Sequence, residues 1–293
     1  MGPSRPWTWC LNWDRGSGFL YRHMAADGDT FYLDTLRDLI RRGVLDTGMS
    51  ILGVCAGGRD HRTLLEAGLR NATLTNLETR FDIDDPGPHV LAGGDVEDMD
   101  HADGSFDFVI AHNGLHHCAS PHKGLLEMHR VARRGLLVFE PRDSLLARIG
   151  TRFGLGQEYE TAAVALSADG RHGGWRNGPV PNFVYRWTER EIEKTIRSAT
   201  PWMECSYHYR YALRPPSGAA SSRNALVRTG LKVAVPAARL LAAVFPRQTN
   251  CFAFAVVKPT PGTGSPPWIR WIDGRPELDP EWARVHYRVE NRR

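Results

Sequence analysis

Several things are scarce in this sequence. The five cysteines, Cys10, Cys55, Cys118, Cys205 and Cys251, are odd in number, widely scattered and free of any CxxC spacing. That pattern excludes a disulfide framework or a thiolate zinc centre and fits reduced thiols in a cytoplasmic protein. The opening stretch MGPSRPWTWCLNWDRGSG has no apolar run of signal-peptide type, so a cytoplasmic location is expected. Charge of one sign is also in short supply. Lys and Arg number 37 against 33 Asp and Glu, a net of +4, and the cations are spread along the chain, so the concentrated basic field of a nucleic-acid binder is missing. Tryptophan is absent between Trp13 and Trp175, although nine occur in all: Trp7, Trp9 and Trp13, then Trp175, Trp187 and Trp202, then Trp268, Trp271 and Trp282.

What is present is ample apolar material, 42% of 293 residues, enough for a sizeable core. The organisation is an alternation. Leu36, Leu39 and Ile40 recur at helical spacing over 34–42, with Gly43 as a stop. A short apolar strand over 49–56 runs into Gly57 and Gly58 and a helix over 60–67. The strand ATLTNLE, ending at Glu78, follows, then HVLAGGDVEDM, the strand FDFVIAHN (106–113), a helix over 120–132 and the strand GLLVFEP (135–141). Strands alternating with helices at these intervals predict an α/β fold with a mostly parallel, doubly wound sheet. Ligands in such sheets bind beyond the carboxyl ends of the strands.

After Pro141 the alternation fails for some 45 residues, the length of a lid or binding segment rather than a connection. Thr188 and Glu191 have capping-box spacing ahead of the helix REIEKTIRSA. Strands are expected over 203–213 and 251–258, with a long apolar helix over 225–245 between them. In that helix Arg228, Lys232 and Arg239 form a polar stripe, and Pro236 predicts a kink or break. Burial against the sheet or a second subunit is the expected fate of its apolar face, with a membrane surface as the alternative. A Pro/Gly linker and a Trp-bearing tail close the chain.

The stretch SILGVCAGGRDHRTLLEAG places a glycine-rich turn between a strand and a helix, which suits close approach of backbone N–H groups to a polar ligand. Glu78 stands about 20 residues on, where a carboxylate can accept from ribose hydroxyls. With the later run GGDVEDMDHADGSFDFVIAHNGLHHCASPHKGLLEMHRVARRGLLVFEP, the sequence resembles the class I S-adenosylmethionine (SAM) dependent methyltransferases, in particular their small-molecule branch. The likeness lies in the acidic loop, the GSFD turn, LHH after the fourth strand, the EMxRV helix and EP after the fifth, and it covers about 50–141 strongly.

The resemblance implies a Rossmann-like, seven-stranded sheet, SAM as cofactor and S-adenosylhomocysteine (SAH) as product. It implies that the backbone of Cys55, Ala56 and Gly57 lies against the methionine part of SAM. Glu78 would take the ribose hydroxyls, Asp95 and Val96 the adenine, and His112 would lie near the sulfonium. Gly53 stands where the family has an acid, and Cys55 and Arg59 where it has glycines. The chain then reads as a single domain over 1–293. It comprises an N-terminal arm and helix (1–48), a SAM-binding core (49–141), a lid for the acceptor (142–187), C-terminal helices and strands (188–258) and a tail (259–293).

Methyl transfer needs the acceptor aligned in line with the methyl group and, for a hydroxyl, a route for its proton. His117 and Tyr159 are the candidates for that work, among the lid's Glu158, Glu160, His172, Asn177, Tyr185 and Arg186. His112 and His116 have i,i+4 spacing but no HExxH glutamate, so no metal is expected. Asp98, Asp100 and Asp103 read as a solvated loop. The acceptor expected is a sugar or other hydroxylated metabolite, with N-methylation of a small amine or a non-catalytic SAM-binding scaffold as alternatives. A nucleotide-dependent oxidoreductase would call for GxGxxG, which this turn lacks. Homo-oligomerisation is left open.

Overall fold

The structure, a computed structural model, describes residues 18–78, 81–167, 170–214, 225–260 and 263–287. Trp7, Trp9, Trp13 and Cys10 lie outside the described residues. Five short runs of apolar and small residues form parallel strands: β1 (Ile51–Val54), β2 (Ala72–Asn76), β3 (Val90–Gly93), β4 (Phe106–His112) and β5 (Ala132–Pro141). β6 (Ser206–Ala212) and β7 (Cys251–Val257) complete a seven-stranded sheet of order β3-β2-β1-β4-β5-β7-β6, in which β7 is antiparallel to both neighbours. All four side chains of β1 are buried, as the centre of a sheet covered on both faces requires. The strand order reverses at the β1/β4 boundary, which places a crevice beyond their carboxyl ends.

One face carries α1 (Gly18–Arg41), whose Tyr32, Leu36 and Leu39 are buried against Ile51, Phe108 and Phe139. This helix is much longer than the 34–42 segment that the apolar spacing marks. α2 (Gly58–Glu66) lies on the same side. The other face is covered by α3 (Pro121–Val131) and α6 (Glu189–Ala199). Ser120 caps α3 by accepting from Lys123 N, and the Thr188/Glu191 capping box forms at α6.

The lid has structure of its own. α4 (Leu145–Arg152) and α5 (Thr161–Ala165) are followed by a 3-10 turn over Trp175–Asn177. Trp187, at the end of this segment, is fully buried among His122, Tyr185 and Phe254. It is a core side chain and not a lid side chain, so the late tryptophans do not share one role.

α7 (Ala225–Val244) runs on through Pro236 without a break, and in the single chain its Leu240, Leu241 and Val244 are exposed rather than covered by the sheet. The tail is also more ordered than its Pro/Gly linker suggests. β8 (Ile269–Ile272) and β9 (Arg275–Leu278) pair as a hairpin ahead of α8 (Pro280–Tyr287), and Trp268 packs on Trp282. Among the described residues no helix is long and apolar enough to cross a membrane.

Candidate active site

The turn after β1 is shaped by a left-handed residue and one tight contact. Cys55 is left-handed, with φ 51°, and a Cβ on Gly114, just beyond β4, would stand 2.3 Å from the Cys55 Cβ. Glycine at 114 therefore lets the β1 and β4 loops touch. A Cβ on Gly57 would meet nothing within 4 Å, so the chain faces open space at Gly57, as a cradle for a polar ligand should. Ala56 N donates to Thr75 O and Asn76 Nδ2 to Ala56 O, tying the turn to β2.

Asp60, unremarked in the sequence, supplies an acid that position 53 lacks. Its carboxylate accepts from Gly57 N at 2.9 Å at the start of α2, and Tyr32 hydrogen-bonds to it. Burial raises its pKa to about 6, against the opposing pull of the Gly57 N–H and Arg59. His112 is stacked on Tyr32 with ring centroids 4.4 Å apart and lies 3.9 Å from Asp60. Burial, then the charges of Arg214, Arg59 and His116, hold His112 well below the usual histidine range.

Glu78 and Asp95 stand beyond β2 and β3 as the strand order requires, and both are met by the lid. Asn177 donates to Glu78 at 3.3 Å, and Arg176 to Asp95 Oδ2 at 2.7 Å. The other Asp95 oxygen accepts from Glu97 N. Arg176 also reaches Glu97, whose carboxylate accepts from Ala119 N and Ser120 N. Arg176 and Asn177 are both left-handed, with φ 48° and 55°, and this compact turn aims both side chains at the same wall. Val96 is buried beside them. Nothing in the spacing of Glu97 or Arg176 marks them, because they meet across 79 residues.

A second cluster sits beyond β4 and β5. Glu140, fully buried on β5, accepts from Leu115 N at 2.8 Å and from His116 Nδ1 at 2.6 Å. His116 Nε2 and His117 Nε2 lie 3.4 and 3.3 Å from Glu160 Oε2. Lid pairing positions Glu160: its N–H donates to Asn182 O, Val184 N donates to Glu158 O, and Asn182 Nδ2 donates to Glu160 Oε2. Burial works against charge on His116, but Glu140 and Glu160 outweigh it and hold His116 well above the usual range. Burial and the charge of His116 lower His117. Tyr159 is not brought in: it is more than half exposed and packs on Phe183.

Beside this cluster opens a cavity of about 320 Å³. Its inner end is formed by Asn113, Glu160 and Cys251, and its walls by Leu146 and Ile149 of α4 and Ala238 of α7, with Phe153 just past α4. Most of the exposed wall is apolar, but Gln157, Arg186, Arg214 and Asn250 also line it.

Residues 53–139, β1 through β5, match the family model of a methyltransferase domain. Over those residues the chain is similar to the methyltransferase-domain family. No curated protein sequence matches the chain. Among solved structures, the methyltransferase core resembles a Haloferax volcanii methyltransferase seen in complex with the Trm112 methyltransferase activator. The TM-score is 0.50 at 14% identity, over 84% of this chain and 96% of that one. It also resembles the magnesium protoporphyrin IX methyltransferase of Synechocystis PCC 6803 with bound SAH, with TM-score 0.50 at 12% identity, over 84% and 90% of the two chains. At these identities the likeness is one of fold, and the acceptor has to be read from this chain's own site.

Proposed function

We propose that this chain methylates a small hydroxylated acceptor whose body is apolar, with SAM as the methyl donor and SAH as the product. The observation that carries the acceptor class is the apolar cavity, which begins at Asn113, the residue after β4, beside the turn on which the donor would lie. The mostly hydrocarbon wall area favours an acceptor body with few hydroxyls over a free sugar, since each buried polar group needs a partner. A molecule with one reactive hydroxyl at the Asn113 end and a hydrocarbon or aromatic body between α4 and α7 fits.

The residues present fit the donor. The open space before Gly57 admits a ligand against the 55–57 backbone, and the carboxylates of Glu78 and Asp95 are spaced along one wall as hydrogen-bond acceptors for a nucleoside. SAM supplies an electrophilic methyl group. In this reading the Cys55, Ala56 and Gly57 backbone, with Asp60 behind it, holds the amino-acid end. Glu78 takes the ribose hydroxyls, Asp95 and Val96 the adenine, and Arg176 and Asn177 cover that wall from the lid. His112, stacked on Tyr32, supports the β4 end of the pocket. His117, beside Glu160 of the cavity lining, is the side chain assigned to the acceptor end, and Tyr159, exposed and packed on Phe183, takes no part.

Calorimetry with SAM and SAH, followed by labelled-methyl transfer into paired acceptors, tests the reading. Binding of both ligands and transfer into hydroxylated aromatics or lipids, with none into the matching free sugars, is the expected result. Transfer confined to sugars or amines would overturn the acceptor class, and binding without transfer to any acceptor would favour a scaffold.

A further inference from the structure

We propose that His116, His117 and Glu160 form a binding site for one divalent first-row transition metal ion, contrary to the expectation from sequence.

Three atoms converge on one point. His116 Nε2, His117 Nε2 and Glu160 Oε2 lie within 4.8 Å of one another, and the two nitrogen-to-oxygen distances are 3.4 and 3.3 Å. Ligands about 2.0–2.1 Å from a tetrahedral ion stand about 3.3–3.4 Å apart, so both nitrogen-to-oxygen spacings already match a bound ion. Two imidazoles and one carboxylate also leave coordination positions free.

The far side of each ligand is already fixed, as metal-binding imidazoles usually require. His116 Nδ1 donates to Glu140 Oε2 at 2.6 Å, and Glu140 is anchored in turn by Leu115 N. His117 Nδ1 faces the Gly174 carbonyl at 3.3 Å. With both Nδ1 atoms turned to oxygen acceptors, both rings present Nε2 to the same Glu160 carboxylate oxygen, and a metal ion bound there would displace the proton shared between His116 and Glu160. His116 Nε2 is buried and faces Glu160 Oε2 at 3.4 Å without a well-formed hydrogen bond.

No sequence spacing announces this set. The two histidines are adjacent in a 3-10 turn after β4, and the glutamate arrives from the lid 43 positions later, held there by its pairing with Asn182. Glu160 also lines the apolar cavity, so an acceptor oxygen entering from it could occupy a free position on the ion. That last role rests on the methyl-transfer reading; the site itself does not.

The test uses the untagged full chain, stripped with chelator and titrated with Co²⁺, followed by visible absorption and by metal analysis after gel filtration. One equivalent of Co²⁺ with d–d bands is expected, displaced by Zn²⁺. Glu160→Gln, which keeps the shape of the side chain, and His117→Ala, at a part-exposed position, should each abolish stoichiometric binding. Glu140→Gln, one shell out, should weaken it about 10–100-fold. His89→Asn, in the separate His61/His89 pair, should leave it intact. Binding that survives both Glu160→Gln and His117→Ala, or no stoichiometric Co²⁺ in the parent chain, overturns the proposal. Calorimetry with SAM on the same samples keeps the two readings apart: loss of SAM binding with Co²⁺ retained would count against the donor assignment alone.

Discussion

The two ends of the crevice are built on different principles. At the β1–β3 end the walls are backbone turns and carboxylates, small residues permit close approach, and the lid contributes charge through Arg176. At the β5–β7 end the walls are side chains, mostly aliphatic by exposed area and rimmed by polar groups such as Arg186 and Asn250, drawn largely from segments that the parallel core does not contain. The first end suits a ligand whose shape is fixed and polar. The second suits one defined by bulk. A fold can keep the first nearly constant while the second is rebuilt, because the turns belong to the sheet and the cavity belongs to insertions.

The sharpest way to break this comparison is to fill the cavity. Ala238→Trp should lower kcat/KM for the acceptor by roughly 100-fold or more, since the new side chain takes the space of the acceptor body, while the Kd for SAM measured by calorimetry stays within a factor of two or so of the parent. A comparable loss of SAM affinity would show that the two ends are not separate.

Next in size is Trp187→Ala. Trp187 is fully buried between α6 and β7 although it closes the lid segment, so the deletion should destabilise the chain by about 3–5 kcal/mol in urea unfolding. A loss below about 1 kcal/mol would return Trp187 to the lid.

Asp60 offers a pH signature of the polar end. Its pKa is raised from 3.8 to about 6, by burial above all, so the folded chain holds this proton more tightly than the unfolded one. The group therefore contributes stability below pH 3.8, which is lost as the pH rises to about 6, on the order of 3 kcal/mol in total. Asp60→Asn should lack that component when urea unfolding is compared at pH 4 and pH 7. An unchanged difference between the two pH values would mean that the carboxylate is already hydrated. The smallest effect is expected for Arg176→Ala. It removes the contacts to Asp95 and Glu97 and should speed SAH dissociation several-fold, about 1 kcal/mol, read by stopped-flow fluorescence. An unchanged rate would show that the lid does not cover the nucleoside wall.

The two ends also differ in how far the sequence discloses them. β1, β2, β4 and β5 follow from apolar runs and glycines, within two or three residues at each boundary, because parallel strands buried on both faces impose a local pattern. Glu78 and Asp95 were legible for the same reason: each follows a strand, and strand ends define the crevice. Glu97, Arg176 and Asp60 were not, since their partners lie across the fold or at a helix start that any acid could occupy. α1 extended well beyond its apolar signature, and the tail hid a hairpin behind prolines. The exposed face of α7 could not be foreseen, because an apolar helix reads the same whether it covers a sheet or walls a cavity.

By itself, the sequence determined the alternation of strands and helices, and hence the parallel sheet, its switch point and the glycine turn that faces it. These depend on periodicity and on conformations that particular residues favour over a few positions. Only the tertiary structure decided what stands opposite those turns. The meeting of His116 and His117 with Glu160, of Arg176 with Asp95, and of α4 with α7 around an apolar cavity rests on contacts between segments tens of residues apart. Such contacts are chosen by the packing of the whole molecule, and no local pattern records them.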